Sequence, residues 1–193
     1  ALGQLAVLKR QSLDGQFVAV TGSSGKTTVK EMLQKVLFEA GEVEVTQGNF
    51  NNDIGVPLTL WGMRDHIDYR VLELGANHIG EIAYTSRMVG ADVAILNNAQ
   101  EAHLSGFGGL GGLVKVKGVI ISGLSKKRQA VFTLDDPPCL VWQTLAQSRR
   151  VWSFSLSNEK ASVYASAIER TSRGSQFMLH VGQQQQQVDL QLL

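Results

Sequence analysis

Short apolar runs alternate with amphipathic stretches along most of the chain. The first run, 17–21, has no polar alternation, which is typical of a strand buried on both faces. A glycine-containing loop follows, and then apolar residues recur at helical spacing over 28–40 until Gly41 ends the pattern. A buried strand, a tight turn and a helix in this order predict the start of an α/β unit.

The same alternation continues to residue 154. Strands that alternate with helices indicate a mostly parallel sheet with helices on both faces, so we predict an α/β fold. The further predicted strands are 69–74, 92–96, 129–133 and 150–154, and the further predicted helices are 81–89, 110–124 and 140–147.

The C-terminal part of the chain has a different pattern. Apolar and polar residues alternate over 162–168, 175–181 and 188–192, which predicts antiparallel strands with one solvated face. We interpret the glutamine run 183–187 as a hairpin turn. We therefore expect an antiparallel β subregion over 160–193 that follows the parallel sheet, with residues 1–16 as an N-terminal lead-in.

Composition and charge exclude several classes of protein. The 193 residues carry a net charge of +1, so no strong field points to nucleic acid or to a membrane surface. A single cysteine excludes an intramolecular disulfide and suits a reducing compartment. No apolar run approaches the about 20 residues that a membrane helix needs, and the N-terminus lacks a signal-peptide pattern. We expect a cytoplasmic protein.

Candidate chemistry begins in the loop between the first strand and the first helix. A helix N-terminus offers unpaired N–H groups, and glycines let such groups surround phosphate oxygens. Lys26 would reach the β- and γ-phosphates, and the Thr27 hydroxyl would ligate Mg²⁺. Val20 replaces the first glycine of the standard Walker A spacing, so the loop is a shorter variant. The predicted nucleoside triphosphate site comprises Thr21, Gly22, Ser23, Ser24, Gly25, Lys26, Thr27 and Thr28.

Four further motifs carry a family resemblance. They are GNFNNDIGVP at 48–57, ELGANHIGEI at 73–82, AHLSGFG at 102–108 and KVKG at 115–118. Together with the loop, they resemble the central ATPase domain of the Mur ligases over nearly the whole chain, which implies a P-loop NTPase-like fold. Their order is most similar to the members that add D-alanyl-D-alanine to UDP-N-acetylmuramoyl-tripeptide in peptidoglycan synthesis.

The resemblance implies a three-domain enzyme, of which 1–193 would be an isolated central domain. An N-terminal domain would hold the UDP-sugar, and a C-terminal domain would close over ATP. The γ-phosphate of ATP would move to the peptide carboxylate, and the amine of D-alanyl-D-alanine would attack the resulting acyl phosphate. We expect this fragment alone to be inactive as a ligase, because it lacks the flanking domains.

The resemblance also assigns four catalytic or metal-binding roles. Besides Lys26, it implies that Glu73, at the end of a predicted strand, ligates Mg²⁺ beside Thr27. His103 would ligate a second Mg²⁺. Lys117 would be converted by CO₂ to a carbamate, because an ammonium group has no lone pair with which to ligate a metal.

Amide side chains supply the remaining candidates. We expect Asn98 to contribute to nucleotide binding. The other asparagines would donate and accept hydrogen bonds at the phosphate-bearing substrate, although asparagine also favours turns. The substrate-binding candidates are Asn49, Asn51, Asn52, Asn77 and His78.

Two alternative functions stay open at this point. The first is a nucleotide-binding module without catalysis, which the missing flanking domains favour. The second is another amide ligase of the same superfamily, such as a folylpolyglutamate-type or a different Mur ligase. The segment 48–57 favours the D-alanyl-D-alanine-adding type over this second alternative.

Overall fold

A computed structural model describes residues 1–100 and 109–191. Within these ranges the chain alternates helices and strands, as the hydrophobic pattern predicts. In chain order the elements are α1 (Leu2–Ser12), β1 (Gln16–Thr21), α2 (Lys26–Phe38), β2 (Val43–Val45), α3 (Gly55–Gly62), β3 (Tyr69–Glu73), α4 (Glu81–Val89), β4 (Val93–Leu96), α5 (Leu110–Ser122), β5 (Gln129–Thr133), α6 (Cys139–Ala146), β6 (Arg150–Ser155), β7 (Val163–Thr171), β8 (Gly174–Val181) and β9 (Gln184–Leu190).

The described strands form one sheet in the order β2-β3-β1-β4-β5-β6-β7-β8-β9. All pairs from β2 to β7 are parallel, whereas β7, β8 and β9 pair in antiparallel fashion. The predicted α/β fold with an antiparallel C-terminal extension is therefore confirmed. Strand β1 lies between β3 and β4, so the loop that follows β1 is flanked by the ends of both neighbours.

Helices cover both faces of the parallel part of the sheet. Because side chains alternate along a strand, Val18 and Val20 of β1 pack under α2 on one face. Phe17 and Ala19 of the same strand belong to the larger core on the opposite face. Burial on both faces explains why β1 is a continuous apolar run.

Three elements were not predicted from the sequence. Helix α1 lies within the expected lead-in, and Ala6 is its buried residue. Strand β2 has only three residues, and helix α3 begins within the GNFNNDIGVP motif, whose asparagines also favour turns. Pro57 lies in the first turn of α3, where its missing N–H group costs no helical hydrogen bond.

The hairpin-turn interpretation of the glutamine run is confirmed for Gln183 but wrong for 184–187. Strand β9 starts at Gln184, which pairs with Val181, and Gln187 pairs with Met178 of β8. The turn consists of Gln183 and Gly182, whose φ of 59° is a left-handed conformation that favours glycine. The backbone of the glutamine run forms the hydrogen bonds of the antiparallel ladder. Because these bonds are made by the backbone, the side chains do not have to alternate between apolar and polar.

None of the helices within residues 1–100 and 109–191 is both long enough and apolar enough to cross a bilayer.

Candidate nucleotide-binding site

The site lies where the central parallel strands end. The Thr21 hydroxyl, at the end of β1, donates to the Leu74 carbonyl at 2.8 Å. The Asn97 N–H group, which follows β4, donates to the Thr21 carbonyl at 2.8 Å. Thr21 is fully buried and joins three strand ends. Its hydroxyl is therefore directed into the protein, while the residues after it form the loop.

Two glycines of the loop meet their surroundings closely. Gly25 precedes α2 with a φ of 71°, and a Cβ atom there would lie 2.9 Å from Asn97 Nδ2. A Cβ atom on Gly22 would lie 3.1 Å from Asn97 Cβ. The loop therefore requires glycine at Gly25 for its backbone angle and has little space for a side chain at Gly22.

Asn98 fixes the conformation of the loop. Its Oδ1 atom accepts hydrogen bonds from the Ser23 and Ser24 N–H groups at 2.9 and 3.0 Å. The neighbouring Asn97 Nδ2 donates to the Ser24 carbonyl at 2.9 Å. Both asparagines thus bind the backbone that precedes Gly25. This contact places Asn98 next to the predicted phosphate loop, and its nucleotide-binding role stays a prediction.

Glu73 is the centre of a cluster of oxygen and amide side chains. It is 2% exposed, at the end of β3. The Thr27 hydroxyl donates to Glu73 Oε2 at 2.9 Å, and Asn51 Nδ2 donates to Oε1 at 2.8 Å. Three separate chain segments therefore meet at one carboxylate.

A carboxylate and a hydroxyl within hydrogen-bond distance are a suitable partial ligand set for Mg²⁺. This ion prefers oxygen ligands and commonly takes one or two carboxylates, with water and phosphate oxygens completing its shell. Among the residues of known placement, no group of three or more His, Cys, Asp or Glu side chains could hold a metal. The chemistry of Thr27 and Glu73 fits an ion whose other ligands come from a nucleotide.

The two lysines of the site share one acceptor. Lys26 Nζ donates to the Gly22 carbonyl at 3.1 Å, and Lys117 Nζ donates to the same oxygen at 2.9 Å. Lys117, on α5, is 6% exposed. Burial, and secondarily the positive charge of Lys26, lowers the pKa of Lys117 to about 8. Lys117 thus has a larger neutral, nucleophilic fraction near neutral pH than an ordinary lysine.

These groups surround a polar cleft of about 140 Å³. It brings together the phosphate loop, the Asn51 segment, the residues after β3, and α5. The lining residues are Gly22, Ser23, Lys26, Asn51, Asn52, Gly75, Ala76, Asn77, Leu113 and Lys117.

The substrate-binding candidates separate into different environments. Asn52 Oδ1 accepts from the Gly55 N–H group at 2.7 Å, so this side chain stabilises the start of α3. Asn77 lines the cleft, and its N–H group donates to Glu81 Oε2 at 2.8 Å. Asn49 and His78 are exposed and are not among the lining residues. The predicted metal ligand His103 lies outside the described residues.

Two buried polar residues beside Glu73 were not predicted. The Thr46 hydroxyl accepts a hydrogen bond from the Glu73 N–H group at 3.0 Å. Lys30 Nζ donates to the Thr46 carbonyl at 3.0 Å. A signal was present, because Lys30 lies four positions after Lys26 and therefore on the same side of α2. A lysine in a helix is nevertheless usually exposed.

Comparison with known families gives a match over most of the chain. A model described as the Mur ligase middle domain matches residues 20–193. The chain belongs to the Mur ligase middle-domain family. The family expected from the phosphate loop and the four motifs is thereby confirmed, including its middle domain.

Curated relatives and solved structures of whole enzymes match this middle domain. UDP-N-acetylmuramoyl-tripeptide–D-alanyl-D-alanine ligase of Escherichia coli (strain K12) is 46% identical over 179 residues, which are 93% of this chain and 40% of that protein. A crystal structure of MurF from Acinetobacter baumannii matches with a TM-score of 0.92 and 39% identity, covering 98% of this chain and 42% of that one. This middle domain thus spans about 40% of the curated relative that it matches.

A third relative bears on the ligand. The crystal structure of MurF ligase from Thermotoga maritima is a complex with ADP. It matches this middle domain with a TM-score of 0.87 and 30% identity, over 97% of this chain and 43% of that one. The ADP of that complex agrees with an adenine nucleotide site in the family.

Proposed function

We propose that this chain is the ATP-binding part of a ligase that joins D-alanyl-D-alanine to UDP-N-acetylmuramoyl-tripeptide. The observation that carries the proposal is the 46% identity to the Escherichia coli ligase across 93% of the chain. The cleft beside Lys26 and Glu73 gives this similarity a chemical basis. The wider reaction belongs to the whole enzyme, and this chain contributes its phosphate-transfer groups.

Lys26 and the loop before it would bind the phosphates. The ammonium group donates to the Gly22 carbonyl at 3.1 Å, so it lies beside the backbone of the loop. Phosphate oxygens are stronger acceptors for an ammonium group than a neutral carbonyl, since the hydrogen bond joins opposite charges. In the proposed complex Lys26 turns from Gly22 to the β- and γ-phosphates and neutralises charge that develops during transfer.

Thr27 and Glu73 would hold Mg²⁺. When bound, the ion would supply positive charge that neutralises the phosphates during transfer. The 2.9 Å hydrogen bond between these side chains keeps the two oxygens next to each other. Asn51, which donates to the other Glu73 oxygen, fixes the orientation of the carboxylate.

Lys117 would serve a second Mg²⁺ as a carbamate, together with His103. The ammonium group first loses one proton. The neutral amine then attacks the carbon of CO₂ and its nitrogen loses a second proton, so the side chain changes overall from a cation to an anion. Burial, which lowers the pKa of Lys117 to about 8, favours this step by increasing the neutral fraction. Isotopically labelled CO₂ should give a carbamate NMR signal that is absent from Lys117→Met.

The peptide substrate would approach from the side of Asn51 and Asn77. Both residues line the same cleft as Gly22, Ser23 and Lys26 of the phosphate loop. By family resemblance, the peptide carboxylate receives the γ-phosphate, and the amine of D-alanyl-D-alanine attacks the acyl phosphate. The carboxylate and the triphosphate are both anions, which is why a site rich in lysine and Mg²⁺ suits their reaction.

A chimaera tests the proposed function. Residues 20–191 replace the corresponding segment of the Escherichia coli relative, and phosphate release is measured with ATP, UDP-N-acetylmuramoyl-tripeptide and D-alanyl-D-alanine. We expect release that requires both substrates and is lost in the Lys26→Ala chimaera. A folded chimaera that binds ADP but hydrolyses ATP without either substrate, or not at all, would instead support a nucleotide-binding module.

A further inference from the structure

Lys30 is a buried cation that the proposed chemistry does not use. It lies in α2, one helical turn after Lys26, and is 4% exposed. Burying an ammonium group is unfavourable unless hydrogen bonds replace its hydration. Its Nζ atom donates to the Thr46 carbonyl at 3.0 Å. The position of this lysine is thus coupled to that of Thr46.

Thr46 transmits this contact to the end of β3. It is fully buried, and its N–H group donates to the Val71 carbonyl at 3.0 Å. Its hydroxyl accepts from the Glu73 N–H group at 3.0 Å. Thr46 therefore bonds to Lys30 through one oxygen and to the backbone of Glu73 through the other.

These hydrogen bonds form a closed network that links α2, Thr46 and Glu73. Thr27 and Lys30 are three positions apart on α2, so their side chains lie on the same face of the helix. Thr27 bonds to the Glu73 carboxylate, while Lys30 reaches the Glu73 backbone through Thr46. Helix α2 is therefore linked both to the carboxylate of Glu73, directly, and to its backbone N–H group, through Thr46.

We propose that Lys30 is a positioning residue for the Mg²⁺ site. It fixes Thr46, and Thr46 fixes the strand end from which the Glu73 carboxylate extends toward the Thr27 hydroxyl. The inference rests on the proposed Mg²⁺–nucleotide function of Thr27 and Glu73. Residues that orient metal ligands typically change metal affinity about 10- to 100-fold when they are replaced.

The main test is ADP binding by calorimetry at a series of Mg²⁺ concentrations. Lys30→Met keeps the length and apolar stem of the side chain but removes the donor. We expect it to raise the Mg²⁺ concentration that gives half of the effect on ADP affinity by about tenfold or more. ADP affinity in EDTA should change by less than about twofold, since the loop is intact. Lys35→Met, an exposed position on α2, is the matched control and should resemble the parent.

A second pair of variants isolates the Thr46 hydroxyl. Thr46→Val removes the oxygen that accepts from Glu73 and keeps the carbonyl that accepts from Lys30, whereas Thr46→Ser keeps both. We expect Thr46→Val to shift the Mg²⁺ dependence as Lys30→Met does, and Thr46→Ser to restore it. Hydrogen exchange of a peptide containing Glu73 should be faster in Lys30→Met and Thr46→Val, with or without nucleotide.

The outcomes separate this inference from the proposed function. A parent chain that needs Mg²⁺ for tight ADP binding, with an unchanged Mg²⁺ dependence in Lys30→Met, would overturn the inference alone. Equal losses of ADP affinity with and without Mg²⁺, together with a lower Tm, would assign Lys30 a purely structural role and also overturn it. If Lys30→Met does not fold, the Thr46→Val and Thr46→Ser pair decides. A parent that binds no ADP at any Mg²⁺ concentration would overturn both proposals.

Discussion

Lys26 and Lys117 donate to the same backbone oxygen, the carbonyl of Gly22, although they lie on different helices. Two ammonium groups on one acceptor repel each other. This repulsion lowers the pKa of Lys117 further than burial alone does. The arrangement concentrates positive charge at the mouth of the phosphate loop. It also contributes to the lowered pKa of Lys117, about 8, so that this lysine is partly neutral near neutral pH.

The lowered pKa of Lys117 predicts a pH dependence of stability. Its pKa is about 8 in the folded protein and near the ordinary lysine value of 10.5 in the unfolded chain. Between these values the unfolded state binds more protons, so this contribution to stability rises with pH. Lys117→Met removes the titrating group and with it this pH dependence. The free energy of unfolding of Lys117→Met minus that of the parent, measured in urea, should therefore be larger at pH 7.5 than at pH 10, by at most about 3 kcal/mol.

Comparing variant and parent at each pH cancels the titration of the other groups. An equal difference in unfolding free energy at both pH values would contradict the assignment of a lowered pKa to Lys117.

Replacing the Glu73 carboxylate should abolish the response to Mg²⁺. Glu73→Gln keeps the shape and one acceptor oxygen but removes the charge that Mg²⁺ needs. We expect ADP affinity in Mg²⁺ to fall to the level measured in EDTA, while affinity in EDTA stays the same or improves because an anion beside the phosphates is lost. Calorimetry with and without Mg²⁺ measures this. A Mg²⁺ response of parental size would exclude Glu73 as a ligand.

Arg70, a buried arginine that does not line the cleft, should contribute strongly to the free energy of unfolding. Arg70 is fully buried, and its guanidinium donates to the carbonyls of Arg64, Asp65 and Ile67 at 2.7, 2.8 and 2.9 Å. Arg70→Met leaves these acceptors without their donor, so we expect a loss of about 3 kcal/mol or more in the free energy of unfolding. Urea unfolding measures the loss.

The matched control is an exposed arginine nearby. Arg64 forms surface ion pairs with Glu42 and Glu44, and its side chain is 62% exposed. Arg64→Met should cost less than about 1 kcal/mol, because surface ion pairs contribute little. Equal losses for Arg64→Met and Arg70→Met would show that burial of the guanidinium is not what makes Arg70 important.

Much of the fold was predictable because the central strands and their helices bury opposite faces in a regular way. Strand β1 is apolar throughout since both of its faces are covered, and α2 follows with Val29 and Leu33 directed at the sheet. Strand β2 was missed because three residues are too few for a periodic pattern. Helix α1 was missed because Leu5 and Leu8 remain exposed, so its apolar residues do not mark a buried face.

The site was predictable where its residues are contiguous or end a strand. The phosphate loop is one segment, and Glu73 follows a recognisable apolar run. The contact of Lys117 with Gly22 joins residues 95 positions apart, which no local pattern shows. The burial of Lys30 depends on how α2 is rotated against the sheet. That rotation follows from packing of the whole helix rather than from the residues next to Lys30.

We infer that this chain binds an adenine nucleotide through Lys26 and Mg²⁺. Calorimetric titration of the parent and of Lys26→Ala with ADP in Mg²⁺ measures the contribution of Lys26 to this binding. We predict one saturable site in the parent and an affinity lower by about 10- to 100-fold in Lys26→Ala, as expected for losing a hydrogen bond to a charged group. Equal ADP affinities of the two proteins, at equal Tm, would show that Lys26 does not bind the nucleotide.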